Sequence, residues 1–224
     1  MVIVIHKVVR IFINLRSFLL MCFSLCLFGC VAPTEIDRSA FVAYQPRSIL
    51  VIPPRNNTVE INAPYTFLAA ITRPIAEKGF YVFPVAVIDT FLKENGLPTP
   101  AEMNGIPLDK IREHIGADAV LYTTIEQWGQ KYQVLSSQAV VSATMKLIDV
   151  RTGNLLWTGK AYAEQQPSDN NGGLAGALFG AIVDQVIGSI VDHTFPLAQQ
   201  ATAISIGNGH SGFINGPYRP ELSK

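Results

Sequence analysis

Ser48-Ile49-Leu50-Val51-Ile52-Pro53-Pro54 decides the fold. A continuous apolar run of strand length, closed by two prolines, suits a strand buried on both faces, as in a sheet covered by helices. The chain on either side is read from this strand. Arg55–Asn62 is a polar loop, and Asn62 with Pro64 reads as the start of a helix. Tyr65, Leu68, Ala69, Thr72, Ile75 and Ala76 then recur at helical spacing, and Gly79 ends the element. Pro74 is expected to kink or divide that helix. Phe80–Pro84 reads as a second strand, Val85–Asn95 as a helix stopped by Gly96, and Pro107–His114 as a short helix stopped by Gly116. Ala119–Glu126 reads as a third strand. Strand, helix, strand, helices, strand is the order of an α/β layer with some parallel pairing.

From Gln138 the pattern changes. Val141, Ala143, Met145 and Leu147 alternate with Ser142, Thr144 and Lys146, as in a strand wet on one side. Asp149–Asn154 is a turn with Gly153 at a positive-φ position, and Leu155–Ala163 returns as the second strand of an antiparallel hairpin, with Trp157 placed on one face with Leu155. Gln165–Gly173 is a Gly-containing loop, and Leu174–Val191 an apolar, Gly-rich C-terminal helix. Gly207–Lys224 is expected to lack regular structure. The fold class is therefore α/β (α+β): a three-layer-like mixed sheet with helices packed on it, ending in an antiparallel hairpin and a Gly-rich helix.

The first thirty residues contain Lys7, Arg10 and Arg16, no acid, and the uncharged run Ser17–Gly29. A basic region, a short apolar region and a small residue before a cleavage point describe a secretory signal. Thirteen residues are short of the ~20 that a spanning helix needs. Leu27-Phe28-Gly29-Cys30 resembles the bacterial lipobox, with Phe28 bulkier than the usual residue at its position. The Cys30 thiol receives a diacylglycerol, and Gly29 leaves the backbone open to the peptidase. The resemblance implies cleavage between Gly29 and Cys30 and an acylated mature N-terminus. Two or more acyl chains give stable anchoring, at ~0.8 kcal/mol per buried CH₂. Val31 stands where Asp would favour inner-membrane retention, so the outer membrane is the expected destination. The expected divisions are a signal peptide over 1–29, a lipidated tether over 30–46, a periplasmic α/β domain over 47–200 and a tail over 201–224.

Composition excludes several classes. The chain of 224 residues is 49% hydrophobic and only 15% charged, unlike a disordered chain. Lys+Arg and Asp+Glu stand at 17 each, with no basic excess for nucleic acid. Processing removes three basic residues and no acid, leaving 14 against 17, a net charge of −3. Cys22 and Cys26 leave with the signal and Cys30 is acylated, so the mature domain offers no disulfide, thiolate metal site or cysteine nucleophile.

Candidate chemistry is sparse. His114, His193 and His210 are the mature histidines, and Asp192-His193 point about 100° apart on a helix. His114 at a helix end suits the dipole without any chemistry. Asp109, Asp118, Glu126 and Asp149 show no acid–base spacing. Gly207-Asn208-Gly209 with Gly212 lacks the strand and helix of a phosphate loop. Tyr122, Trp128, Tyr132 and Trp157 read as core rather than as a ligand groove. No catalytic, cofactor or metal residue is assigned. Gly176, Gly180 and Gly188 mark the apolar helix as a close-packing element, against the sheet, a second copy or a membrane; Asp184 and Gln185 near its centre argue against a span.

Arg73–Val85, Leu92–Pro98, Gly116–Tyr122, Asp149–Trp157 and Gly216-Pro217-Tyr218 together resemble a family of bacterial lipoproteins of unknown function, over about Arg47 to Tyr218. The resemblance implies a fold similar to the anticodon-binding-like N-terminal domain of TolB and to the periplasmic domain of CsgG-type lipoproteins, whose hairpin is similar in style to Leu147–Trp157. It brings no catalytic residues. It implies an accessory of an envelope complex, beside a CsgG-like lipoprotein. The reading expected from all of this is an outer-membrane lipoprotein whose periplasmic domain binds envelope proteins or a second copy as a homodimer. The exposed sheet edge and the Gly-rich helix are the expected contact elements. The alternatives are a periplasmic hydrolase using Asp and His, and a subunit of a secretion pore.

Overall fold

The computed structural model describes residues 37–133, 136–165 and 194–219. Strand β1 (Ser48–Val51) lies where the apolar run predicts, with Ile49, Leu50 and Ile52 fully buried. It pairs in parallel with β3 (Tyr81–Val82) on one side and β4 (Ala119–Gln133) on the other. Pro53 and Pro54 interrupt the line, since proline donates no ladder hydrogen bond. The chain rejoins β4 at once as β2 (Arg55–Asn56), within the stretch read as loop. β5 (Ser136–Asp149) and β6 (Leu155–Gln165) complete a mixed sheet in the order β3-β1-β4-β5-β6, antiparallel from β4 onward.

Helices cover both faces of β1. Ile49 and Val51 join one core with α1 (Ser39–Tyr44), α2 (Ala63–Glu77) and α6 (Thr194–Gly207). Leu50 and Ile52 join a second core with α3 (Val85–Glu94), α4 (Pro100–Met103) and α5 (Leu108–His114). This is the mixed α+β, helix-on-both-faces sheet expected from the sequence.

Several details differ from expectation, each for a local reason. α2 runs through Pro74 as one element. The carbonyl that Pro74 leaves without its helical donor is that of Ala70, and the buried Thr202 hydroxyl of α6 stands 3.3 Å from it, and 2.7 Å from Ala198 O. β4 extends to Gln133 rather than stopping at Glu126. The register shifts between Ile125 and Gln127, so Trp128 pairs with Val141 and packs on the same core as Ile125. A bulge thus breaks the sequence alternation without ending the strand. A second register shift, at Leu147/Ile148, pairs Leu147 with Trp157 and Ile148 with Leu155. It buries Leu156 and Trp157 and leaves Leu155 half exposed, so Trp157 and Leu155 do not share a face.

Both ends of the described chain enter the core. Phe41 of α1, inside the stretch expected as a tether, is fully buried. α6 runs across residue 200, and its capping turn delivers Phe213 to Phe41, Phe80 and Trp157 at ring-centre distances of 5.2, 5.8 and 4.7 Å. These edge-to-face contacts suit the ring quadrupoles. Trp157 Nε1 donates to Ser211 O at 2.7 Å. The irregular tail is therefore packed, as Gly216 N donates to Lys78 O and Tyr218 N to Gly79 O. The Leu174–Val191 helix with Gly176, Gly180 and Gly188 lies outside the described residues.

Two predictions follow from these contacts. Gly79 has φ +90°, and a Cβ there would stand 2.2 Å from Arg219 N, whereas Gly96, at φ +84°, has open space around it. In urea unfolding, Gly79→Ala is expected to cost about 3 kcal/mol and Gly96→Ala about 1 kcal/mol. Thr202→Val, which keeps shape and removes the donor, is expected to cost about 1 kcal/mol, and less in a Pro74→Ala background that restores the helical N–H.

Candidate functional site

The assigned site residues Gly29 and Cys30, and Gly176, Gly180 and Gly188, lie outside the described residues, as does His193. The structure does place the acids and the other two histidines. Asp118 Oδ2 accepts from Arg47 N, Ser48 N and the Ser48 hydroxyl at 2.9–3.1 Å, while Ser48 Oγ accepts from Asp118 N at 3.0 Å. This lock aligns the starts of β1 and β4. Glu126, at the bulge, accepts from Asn57 and Thr144 side chains. Asp109 sits in the first turn of α5, where a carboxylate suits the dipole. His114 ends the same helix, 3.7 Å from Glu113. His210 is exposed in the turn after α6, on the opposite side of the sheet from α5. The two described histidines are thus dispersed rather than convergent.

Asp149 is the buried acid of the hairpin turn. Its Oδ1 accepts from Arg151 N, Thr152 N and Thr152 Oγ1, and its Oδ2 from Arg151 Nη2 at 2.9 Å. Burial on its own would raise the carboxyl pKa, but these hydrogen bonds outweigh it and hold the group below the usual aspartate range. The same turn grips α1: Arg151 Nη2 lies 3.5 Å from Tyr44 O, and Asn154 Nδ2 donates to Tyr44 Oη at 2.6 Å. The Asp149–Trp157 signature is therefore a clamp on the segment that leads back to Cys30.

Two open clefts lie on the side of α3–α5. One, about 520 Å³, runs between α5 and the turn, with Asp109, Arg112, Glu113 and Arg151 along it. The other, about 430 Å³, is a largely apolar groove walled by Phe91, Leu97, Ile106 and Ile115. Neither brings a histidine onto a carboxylate in a nucleophile–base arrangement. Among the described residues no group of three His, Cys, Asp or Glu side chains could hold a metal ion, and no helix is long and apolar enough to cross a membrane. The Gly207–Gly212 segment is a helix cap: Asn208 Oδ1 accepts from His210 N and Ser211 N, and Gly212 N donates to Asn208 O. Of the aromatic set, Trp157 is core and Trp128 packs on it, while Tyr122 is half-buried and burial pushes its phenol up, against a smaller pull from Arg55.

The Asp149 cluster makes a pH prediction. A carboxyl whose folded pKa lies below its unfolded value contributes fully above about pH 4, and the contribution is lost as pH falls through the folded value. Asp149→Asn is expected to cost about 2 kcal/mol at neutral pH and to flatten the acid limb of a stability–pH curve. Thermal unfolding across the acid range checks both.

A family model described as "Putative lipoprotein GNA1162-like" matches residues 36–218. A protein named as a lipoprotein in Neisseria meningitidis serogroup B is 36% identical over 184 residues, 82% of this chain and 86% of its own. The crystal structure of lipoprotein GNA1162 from Neisseria meningitidis is 40% identical, covers 64% of this chain and all of its own, and superposes with a TM-score of 0.54. A PelC dodecamer from Paraburkholderia phytofirmans, at 16% identity over 75% of this chain and 91% of its own, reaches a TM-score of 0.44, too distant to carry an argument. The lipoprotein resemblance read from Arg73–Val85 and the hairpin is thus the correct one, and the chain belongs to the GNA1162-like lipoprotein family.

Proposed function

We propose that the chain is cleaved before Cys30, acylated there, and held on the periplasmic face of the outer membrane as a non-catalytic accessory that binds other envelope proteins. The observation that carries this reading is the order of two segments. A lipobox-like Leu27-Phe28-Gly29-Cys30 directly precedes a domain whose lipoprotein family match begins at residue 36. Val31 after Cys30 favours outer-membrane sorting. Asp118 holds a strand start, Asp149 a turn and Glu126 the bulge, and His114 ends a helix, which supports a binding role over chemistry. Candidate partners are a CsgG-like lipoprotein and a second copy of the chain.

Labelled palmitate is the direct test. It is expected to enter the wild-type protein and not Cys30→Ala, and the wild type is expected to sediment with outer-membrane fractions. Crosslinking in living cells, read by mass spectrometry, is expected to give envelope-protein crosslinks that Cys30→Ala loses. A native protein that begins at Met1, or carries no fatty acid at its first residue, overturns the reading.

A further inference from the structure

The end of the sheet that receives α1 and the tail is also where basic side chains gather. Arg38, just before α1, donates through Nη1 to Gly209 O at 3.3 Å. Lys78 and Arg219 meet where the tail crosses the end of α2: Gly216 N donates to Lys78 O at 2.8 Å, and Arg219 lies against Gly79. Burial and the charges of Arg219 and Arg38 pull the Lys78 ammonium below the usual lysine range. Like charges are thus crowded together without an ion-pair partner among the described residues for any of the three. Asp37 is the neighbouring acid, and its carboxylate is engaged by Ser39 N at 2.8 Å; Glu77 is taken by Arg73 at 2.7 Å. Tyr218, next to Arg219, adjoins the patch and is 60% exposed. Tyrosine and basic residues together are the composition that favours a membrane–water interface.

The chain fixes which surface lies near this patch. Six residues separate Cys30 from Asp37, and those seven residue steps place the acylated end at most about 25 Å from the start of the described domain. Charges interact strongly only within a Debye length, ~8 Å at physiological ionic strength. A tether of this reach allows contact without compelling it. The mature chain as a whole carries net −3 and is repelled by an anionic surface, so only an oriented approach is favourable. Near the far end of β2 and β4 lie Glu60 and Glu126, with Arg55 the cation there.

We propose that the surface formed by Arg38, Lys78 and Arg219, flanked by Tyr218, docks on the anionic phospholipid headgroups of the leaflet that holds the Cys30 acyl chains. The proposal rests on the anchor reading above, and the docked state turns the β2–α2 loop away from the membrane.

The test uses the full-length lipidated protein in vesicles. Maturation removes Cys22 and Cys26 and acylates Cys30, so one introduced cysteine is the sole free thiol. A fluorophore is placed at His210→Cys, near the patch, or at Val59→Cys, in the far loop, against a headgroup-borne quencher. In phosphatidylcholine vesicles with about one-third phosphatidylglycerol, the 210 label is expected to be quenched about threefold more than in phosphatidylcholine alone. The 59 label is expected not to change. Salt at about 0.5 M, or the combined Arg38→Gln, Lys78→Gln and Arg219→Gln variant, is expected to erase the difference while the protein still floats with the vesicles. Arg55→Gln with Lys146→Gln, on the far part of the sheet, is expected to leave it intact. A protein that floats with equal quenching of the 210 label in both vesicles overturns this proposal alone. One that does not float overturns the anchor and this proposal with it.

Discussion

The structure depends on β1 being dry on both sides. A strand with Ile49 and Val51 on one face and Leu50 and Ile52 on the other is stable only if helices cover both. Burying each such side chain contributes about 1.5–3 kcal/mol relative to exposure. The helices depend on the strand in turn. α1, α4 and α5 have 6, 4 and 7 residues, well below the ~12–15 at which an isolated helix holds in water. Their order comes from packing, helped locally by devices such as the Thr99–Glu102 capping box of α4.

The second constraint is that both flanks of the domain close over one aromatic group. Phe41 from before β1, Phe80 from before β3 and Phe213 from the tail form a triangle of contacting rings, Phe213 links it to Trp157 of β6, and each comes from a different part of the chain. The tail is held by main-chain hydrogen bonds to Lys78 and Gly79, and the Asp149 turn holds α1. A disturbance in any of these segments is therefore felt by the others. The stretch expected as a tether up to residue 46 already contains α1, which is part of the core.

What could be read from the sequence follows from the physics of each signal. The Ser48–Ile52 run, the α3 and α5 spacings with their glycine stops, and the Asp149–Asn154 turn are local signals, and the structure agrees with them. The extension of β4 was hidden because a bulge at Glu126 moves Trp128 onto the face of Ile125, so alternation fails where pairing continues. α6 was hidden for a different reason. Its Leu197, Ala198, Ala201 and Ile206 are buried while Phe195 and Ile204 are exposed, so it has no clean polar face to reveal the period. Phe41 and Phe213 were hidden because one aromatic residue in an irregular stretch announces nothing until its partners are placed. The candidate site was the least legible part. Cys30 is a chemical signal that needs no fold, whereas the patch of Arg38, Lys78 and Arg219 spans 182 positions of sequence and exists only after folding.

The sheet itself separates two kinds of surface. Around β1 both faces are covered, but farther along β4, β5 and β6 the described residues cover only the side of α2 and α6. The other side shows Thr144, Lys146, Lys160 and Tyr162 to solvent, with Lys160 lying 5.6 Å from the Tyr162 ring. Such a face makes individually weak polar contacts, because each must exchange hydration for a partner of similar strength. Tethering changes that balance. On the proposed anchoring at Cys30, the domain would be held within about 25 Å of a membrane and would meet a partner on the same membrane at an effective concentration far above that in bulk, so weak contacts would suffice without a large apolar interface. If Cys30 is acylated as proposed, affinity would come from where the domain is held, and the polar face of β5 and β6 would supply specificity.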